Sequence, residues 1–197
     1  DRLGWRPMPS FRRSGERADL AGHRYRVETR VDADGFRRYR MEQPRGRLLV
    51  IGDSYTWAVD AGDDATYYAL LHRELRMDVD AFGCGGYGTL QEFMVLDDCL
   101  ERAQPTAVLL QMCRNDLVNN SYALEARSRI NNNSMRRPYL APDGAVTYAF
   151  PCGFPRRLPA LRDFANRHST FLYFLFSRVD RRLAASGVSV ESLYEQD

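Results

Sequence analysis

The chain has 197 residues, 44% of them hydrophobic, enough for one globular domain with a substantial core. Its formal net charge is only +2, from 28 basic residues, every one an arginine, against 26 acidic ones spread along the same length. That balance lacks the concentrated basic face of a nucleic-acid binder, and no apolar run approaches the roughly 20 residues that span a bilayer.

The sequence opens at Asp1 and not at Met, which reads as a processed or trimmed start and leaves the compartment open. Residues 1–46 read as an N-terminal extension packing on the core. Within it, Arg24 to Val31 alternates like a strand with one wet face, and Asp34-Gly35 signals a tight turn before Phe36.

Residues 47–197 read as the main α/β domain. A first strand over 47–52 holds the apolar run Leu48-Leu49-Val50-Ile51 and ends in Gly52-Asp53-Ser54. The helix after it is expected to start near Asp63-Asp64 and to bury Tyr67, Leu70, Leu71 and Leu75. A second strand, about 78–82, runs into the cluster Gly83-Cys84-Gly85-Gly86-Tyr87-Gly88. Thr89 is placed to cap the next helix, with Leu90, Phe93, Met94 and Leu100 as its apolar stripe. Pro105 precedes a third strand, about 106–112, that ends in Cys113-Arg114-Asn115-Asp116.

An insertion at about 117–155 follows, with a short helix between Asn-rich stretches. There the turn signal Pro142-Asp143-Gly144 precedes a second hairpin arm, Val146 to Phe150. Residues 155–185 look helical, with Leu158, Leu161, Phe164, Phe171, Leu172, Leu175 and Val179 on the apolar side. Strands alternating with helices predict an α/β fold, a three-layer sandwich around a parallel sheet covered on both faces. Three parallel strands are fewer than the five usual in such a fold, so the domain is expected to continue past Asp197.

Three loops, each after a strand, carry the chemistry. In open α/β sheets ligands bind beyond the carboxyl ends of the strands. A serine hydroxyl leaving a strand at a sharp turn is a candidate nucleophile, here Ser54, and it needs a neighbouring base to take its proton. Acyl transfer also needs donors aimed at the developing oxyanion. Gly86 offers a backbone N–H without an obstructing side chain, and Asn115 a side-chain amide. Asp53 and Asp116 fit supporting roles as caps and braces, and Arg114 is read as a solvated charge.

The four cysteines and three histidines lack zinc-site spacing, so no metal and no cofactor is expected, and the cysteines read as buried free thiols. Asn119-Asn120-Ser121 and Asn132-Asn133-Ser134 fit the N-glycosylation pattern but are read as plain loop residues.

The ordered set Gly52-Asp53-Ser54, Gly86 and Asn115-Asp116 resembles the SGNH (GDSL-type) hydrolases, serine esterases and acyl-transfer enzymes. The glycine loop running on as Gly86-Tyr87-Gly88-Thr89, and Asp34-Gly35-Phe36-Arg37 ahead of the first strand, look like a bacterial subgroup of that family. The resemblance spans roughly residues 32–120 and more loosely reaches about 185. It implies Ser54 as nucleophile, Gly86 and Asn115 as the oxyanion hole, and a small-molecule or glycan ester as substrate.

Two departures stand out. Cys113 replaces the usual glycine of the third motif, which is expected to crowd that turn, and no Asp-x-x-His follows to supply the triad's base. None of His23, His72 and His168 carries a catalytic signal. The alternatives are therefore an O-acyltransferase, or a catalytically inactive domain of the same fold that binds a carbohydrate or other ligand.

Overall fold

The computed structural model of the protein describes residues 2–128, 135–151 and 159–184. Cys152, Leu158 and the Asn132-Asn133-Ser134 motif lie outside the described residues. The chain is α/β with a mixed sheet, and it divides into two compact units. One, here the sheet unit, holds Arg6–Gly85 and Glu92–Met112; the other gathers Asp1–Trp5, Gly86–Gln91 and Cys113–Asp197.

The sheet unit begins with an antiparallel hairpin of β1 (Arg12–Ala18) and β2 (Arg24–Arg30). In β2 only Val27 and Thr29 are buried, the alternation expected of a strand with one wet face. Gly35 then takes φ +88° in the turn and donates its N–H to the Asp32 carbonyl. The extension also contributes a strand to the main sheet: β3 (Arg37–Tyr39) pairs antiparallel with β5 (Asp78–Gly83). β5 pairs parallel with β4 (Arg47–Gly52), and β4 parallel with β6 (Ala107–Gln111), giving the order β3-β5-β4-β6.

Burial follows from this order. Leu48 to Ile51 of the interior strand β4 are all buried, as an unbroken apolar run requires of a strand covered on both faces. Leu48 and Val50 form a core with Val79, Ala81 and Tyr68, the last from α2 (Tyr67–Leu75). β6 departs from the expectation of a sheet covered throughout. Among the described residues it is an edge strand, and Val108 and Leu110 stay 42% and 40% exposed.

The helices start later than the acidic signals suggest. Asp63 and Asp64 belong to a 3-10 turn, and Thr66 caps α2 by accepting the Ala69 N–H at 3.2 Å. That register buries Tyr68 and Ala69 and leaves the expected core residues Leu70 and Leu75 exposed. α3 (Thr89–Ala103) shows the same offset: Thr89 is its first residue and not its cap, Phe93 and Leu100 are exposed, and Met94, Val95 and Cys99 are buried. In α3 the expected Met94 is buried, but leucine and phenylalanine spacing misplaces the rest of the stripe, because the polar Gln91 and Glu92 share it; in α2 the stripe falls on Tyr68 and Ala69 instead.

Asp80 in the apolar β5 is explained by the arginines around it, and Asp78 by the Met41 N–H, which it accepts at 3.1 Å. Buried Asp80 accepts from Arg38 at 3.4 Å and from Arg40, while Arg47 lies 3.9 Å away. Nearby, burial alone would raise the Asp32 carboxyl. The Arg38 guanidinium and the N–H groups of Phe36 and Asp34 outweigh it and hold the group below the usual carboxylate range. A carboxyl with a depressed folded pKa stabilises the fold above its unfolded value and loses that contribution as pH falls through the folded one. Asp32→Asn is therefore expected to lower Tm by about 2–4 °C at pH 7, the consequence of roughly 1 kcal/mol of lost hydrogen bonding. The gap should begin to narrow near pH 4, the ordinary aspartate value, and close only as pH falls through the lower folded value. Thermal melts of both proteins between pH 2 and 7 check this, and a gap independent of pH would contradict it.

In the second unit, α4 (Arg114–Asn119) and α5 (Tyr122–Glu125) precede an antiparallel hairpin of β7 (Arg137–Leu140) and β8 (Val146–Ala149). Its turn is the expected one, with Gly144 at φ +83° and the Ala145 N–H donated to Asp143 Oδ1 at 3.0 Å. α6 (Pro159–His168) and α7 (Thr170–Ala184) occupy the predicted helical stretch. Their expected apolar side is mostly exposed: Leu161, Phe164, Phe171 and Leu175 face solvent, while Ala165 and Arg162 are buried.

Candidate functional site

Ser54 sits where β4 gives way to the four-residue helix α1 (Ser54–Trp57), and its side chain is exposed. Asp53, fully buried, caps this helix: its Oδ1 accepts the Tyr55 N–H at 2.9 Å, and its Oδ2 takes the Ser54 hydroxyl at 3.4 Å. The Asp53 carboxylate thereby fixes the turn from below while the serine stays on its outer side.

The sheet leaves no freedom beneath that turn. The register aligns Gly52 of β4 with Gly83 of β5 and Gln111 of β6, so three strand ends lie side by side. A Cβ on Gly83 would overlap the Trp57 N and Thr56 carbonyl carbon and lie 2.7 Å from Trp57 Cα. A Cβ on Gly52 would meet Thr56 Oγ1, and Gln111 Oε1 at 2.8 Å. Glycine at both positions lets α1 rest directly on the sheet. Thr56 in turn donates its hydroxyl to Gln111 Oε1 at 3.0 Å and meets Tyr67 Oη at 2.8 Å. Tyr68 Oη donates to the Thr56 carbonyl at 3.0 Å. Burial, chiefly, pushes the Tyr67 hydroxyl above its ordinary pKa, so it is a neutral donor at neutral pH.

A buried arginine holds the far end of α1. Arg37 of β3, 2% exposed, donates Nη2 to the carbonyls of Trp57 (2.8 Å) and Ala58 (3.1 Å) and pairs with Asp63 at 3.3 Å. These carbonyls lie at the end of α1, where Ala58 turns left-handed at φ +44°. A guanidinium suits the task, since its planar fork can satisfy several carbonyls at once.

The other predicted groups lie in the second unit. Gly86 adopts φ +76°, a conformation that glycine takes without strain. Its carbonyl accepts from Arg137 Nη2. Asn115 occupies the first turn of α4, and its Nδ2 donates to Asn119 Oδ1 at 3.1 Å and, more weakly, to Asp116 Oδ1 at 3.4 Å. That contact sets the plane of the amide. Asp116, fully buried, accepts the Cys113 N–H at 2.8 Å and so closes the turn into α4. Cys113 itself has φ −131° and ψ 159°, extended backbone open to any residue. A cysteine in place of glycine is therefore compatible with the backbone of that turn. Arg114 is exposed.

Comparison with known proteins finds no match: no family model, no curated protein and no solved structure is significantly similar to this chain. The chemistry has to be read from the residues themselves.

Among the described residues the Ser54 hydroxyl bonds to Asp53 and to no histidine. His72 Nδ1 meets the Met77 carbonyl at 2.6 Å, His23 pairs with Asp19 at 3.0 Å on the surface, and His168 lies against the Phe164 ring. Cys84, Cys99 and Cys113 are free thiols, and burial raises the Cys99 thiol above its usual pKa. Among the described residues no group of three or more His, Cys, Asp or Glu could hold a metal ion, and no helix is long and apolar enough to cross a membrane.

Sequence reasoning missed the residues behind the loops, namely Thr56, Gln111, Asn119, Glu125 and Arg137. Their only signal is polar identity at inward-facing positions. Arg137 and Tyr139, for example, share the buried face of β7, which is visible only once its register is known.

Proposed function

We propose that the protein is a serine-dependent ester hydrolase of the SGNH type, built on that family's three-layer α/β/α fold. Ser54 is the nucleophile, and the Gly86 N–H and the Asn115 amide are the oxyanion donors. The observation that carries this reading is the turn at Ser54. An exposed serine leaves an interior parallel strand on a capped single-turn helix that two glycines seat on the sheet.

In the reaction, Ser54 Oγ attacks the ester carbonyl carbon and its proton passes to a base. The carbonyl electrons move to an oxyanion, and the alcohol leaves with a proton as the acyl-enzyme forms. Water then releases the acid. A sugar hydroxyl in place of water would make the same site an O-acyltransferase.

The absence of a histidine bonded to Ser54 among the described residues favours one competing reading, a ligand-binding domain that keeps the fold without the chemistry. Labelling separates the two. The full-length protein is expected to take up one equivalent of a fluorophosphonate at Ser54, located by peptide mass spectrometry, and to hydrolyse p-nitrophenyl acetate in a reaction lost in Ser54→Ala. Saturable glycan binding with neither labelling nor Ser54-dependent turnover would transfer the protein to the binding class.

A further inference from the structure

We infer that Arg137 is a positioning residue for the oxyanion donors, an inference that rests on the hydrolase reading above. Arg137 is fully buried on β7, far in sequence from every motif of the site. Its guanidinium reaches three acceptors: the Gly86 carbonyl through Nη2, and the Asn119 carbonyl (3.1 Å) and Glu125 Oε2 (2.7 Å) through Nη1. The first acceptor belongs to the residue that would offer its N–H to the oxyanion. The second belongs to the residue whose side chain orients the Asn115 amide. One rigid cation thus joins the backbone segments that carry both donors.

The surroundings of Arg137 enclose it, although its Nε has no hydrogen-bond partner among the described residues. Glu125, equally buried, balances its charge and also accepts from Tyr139 Oη at 2.9 Å. The Trp5 ring covers the guanidinium, with its centroid 4.9 Å from Cζ. No exposed surface is left for contact with a substrate. A separate observation shows that the same two segments meet without slack. A Cβ on Gly88 would lie 2.7 Å from Asn120 Oδ1 and 3.1 Å from the Asn119 carbonyl carbon, and the Leu90 N–H donates to Asn120 Oδ1. Arg137 sets the spacing across that contact, because its planar fork offers donors at fixed angles. Lysine, a point charge on a flexible stem, keeps the charge but cannot hold three acceptors in that geometry.

The test uses the full-length protein and its Arg137→Lys variant. Amide hydrogen exchange at Gly86, Tyr87 and Asn115–Asn119 is expected to quicken by about 10-fold or more, while β4 and β5 exchange as before. The kcat for p-nitrophenyl acetate is expected to fall by about 10²-fold with KM within about twofold, as when one oxyanion donor is lost. A purely structural role would lower thermal stability without this split between kcat and KM. Tyr139→Phe, which removes only the second donor to Glu125, gives the same pattern at a severalfold amplitude and covers the case of a Lys variant that does not fold. Unchanged exchange at Gly86 and Asn115, or faster exchange with kcat intact, overturns the positioning role and leaves Ser54 chemistry standing. Turnover equal in wild type and Ser54→Ala fails the hydrolase reading itself, and the catalytic role of Arg137 falls with it.

Discussion

Gly83→Ala is expected to cost the protein about 3 kcal/mol of stability and to slow fluorophosphonate labelling of Ser54 by about 10²-fold. The reasoning is steric and local. Gly83 ends β5 in register with Gly52, and the backbone of α1 lies directly across it. An added methyl group would overlap the peptide between Thr56 and Trp57, which is main chain and cannot swing aside as a flexible side chain would. Either β5 or α1 has to move. β5 is buried between β3 and β4, whereas α1 is a single turn tied down by Asp53, Thr56 and Arg37. The displacement therefore falls on α1, and Ser54 is its first residue. A shift of about 1 Å at a reacting group is worth about a hundredfold in rate. Gly85→Ala is the control, because nothing lies within 4 Å of a Cβ placed there. It should label and melt like the wild type. Equal damage in both variants would assign the effect to loop flexibility and not to the seat beneath α1.

What the sequence disclosed, and what it hid, divides along a physical line. The strands around the site are legible because unbroken apolar runs such as Leu48 to Ile51 are read the same way by burial and by propensity. The turns at Asp34-Gly35 and Asp143-Gly144 are legible because their backbone conformation selects glycine. Helix faces are not, where polar side chains share the buried stripe: Gln91 and Glu92 are buried while Phe93 between them and Met94 is exposed. Arginine carried the least information of all. With 28 in the chain, nothing marks Arg37 and Arg137 as buried while Arg136 beside the latter is exposed. Their role depends on carbonyls that come from distant segments, and only the folded backbone brings those to one place.

Asn115 supplies the second large effect. Its Ala variant is expected to lose about 10²–10³ in kcat for p-nitrophenyl acetate with KM nearly unchanged, because a preorganised donor acts on charge that develops only in the transition state. The amide is oriented by its neighbours: Asn119 Oδ1 takes one N–H at 3.1 Å, and the other makes only the long 3.4 Å contact with Asp116 Oδ1, which an oxyanion would displace. Stability should fall far less, by about 1 kcal/mol for that hydrogen bond, since the side chain is only half-buried. Asn115→Asp sharpens the argument. It preserves size and shape but replaces the donor with an acceptor and sets a second carboxylate beside that of Asp116, which already accepts the Cys113 N–H. Repulsion of a developing oxyanion is added to the loss of its donor, so the Asp variant should be at least as slow as the Ala variant although its volume matches the native residue. An Asp variant clearly faster than Ala would mean that position 115 acts by filling space, and the donor role would pass from Asn115 to backbone groups alone.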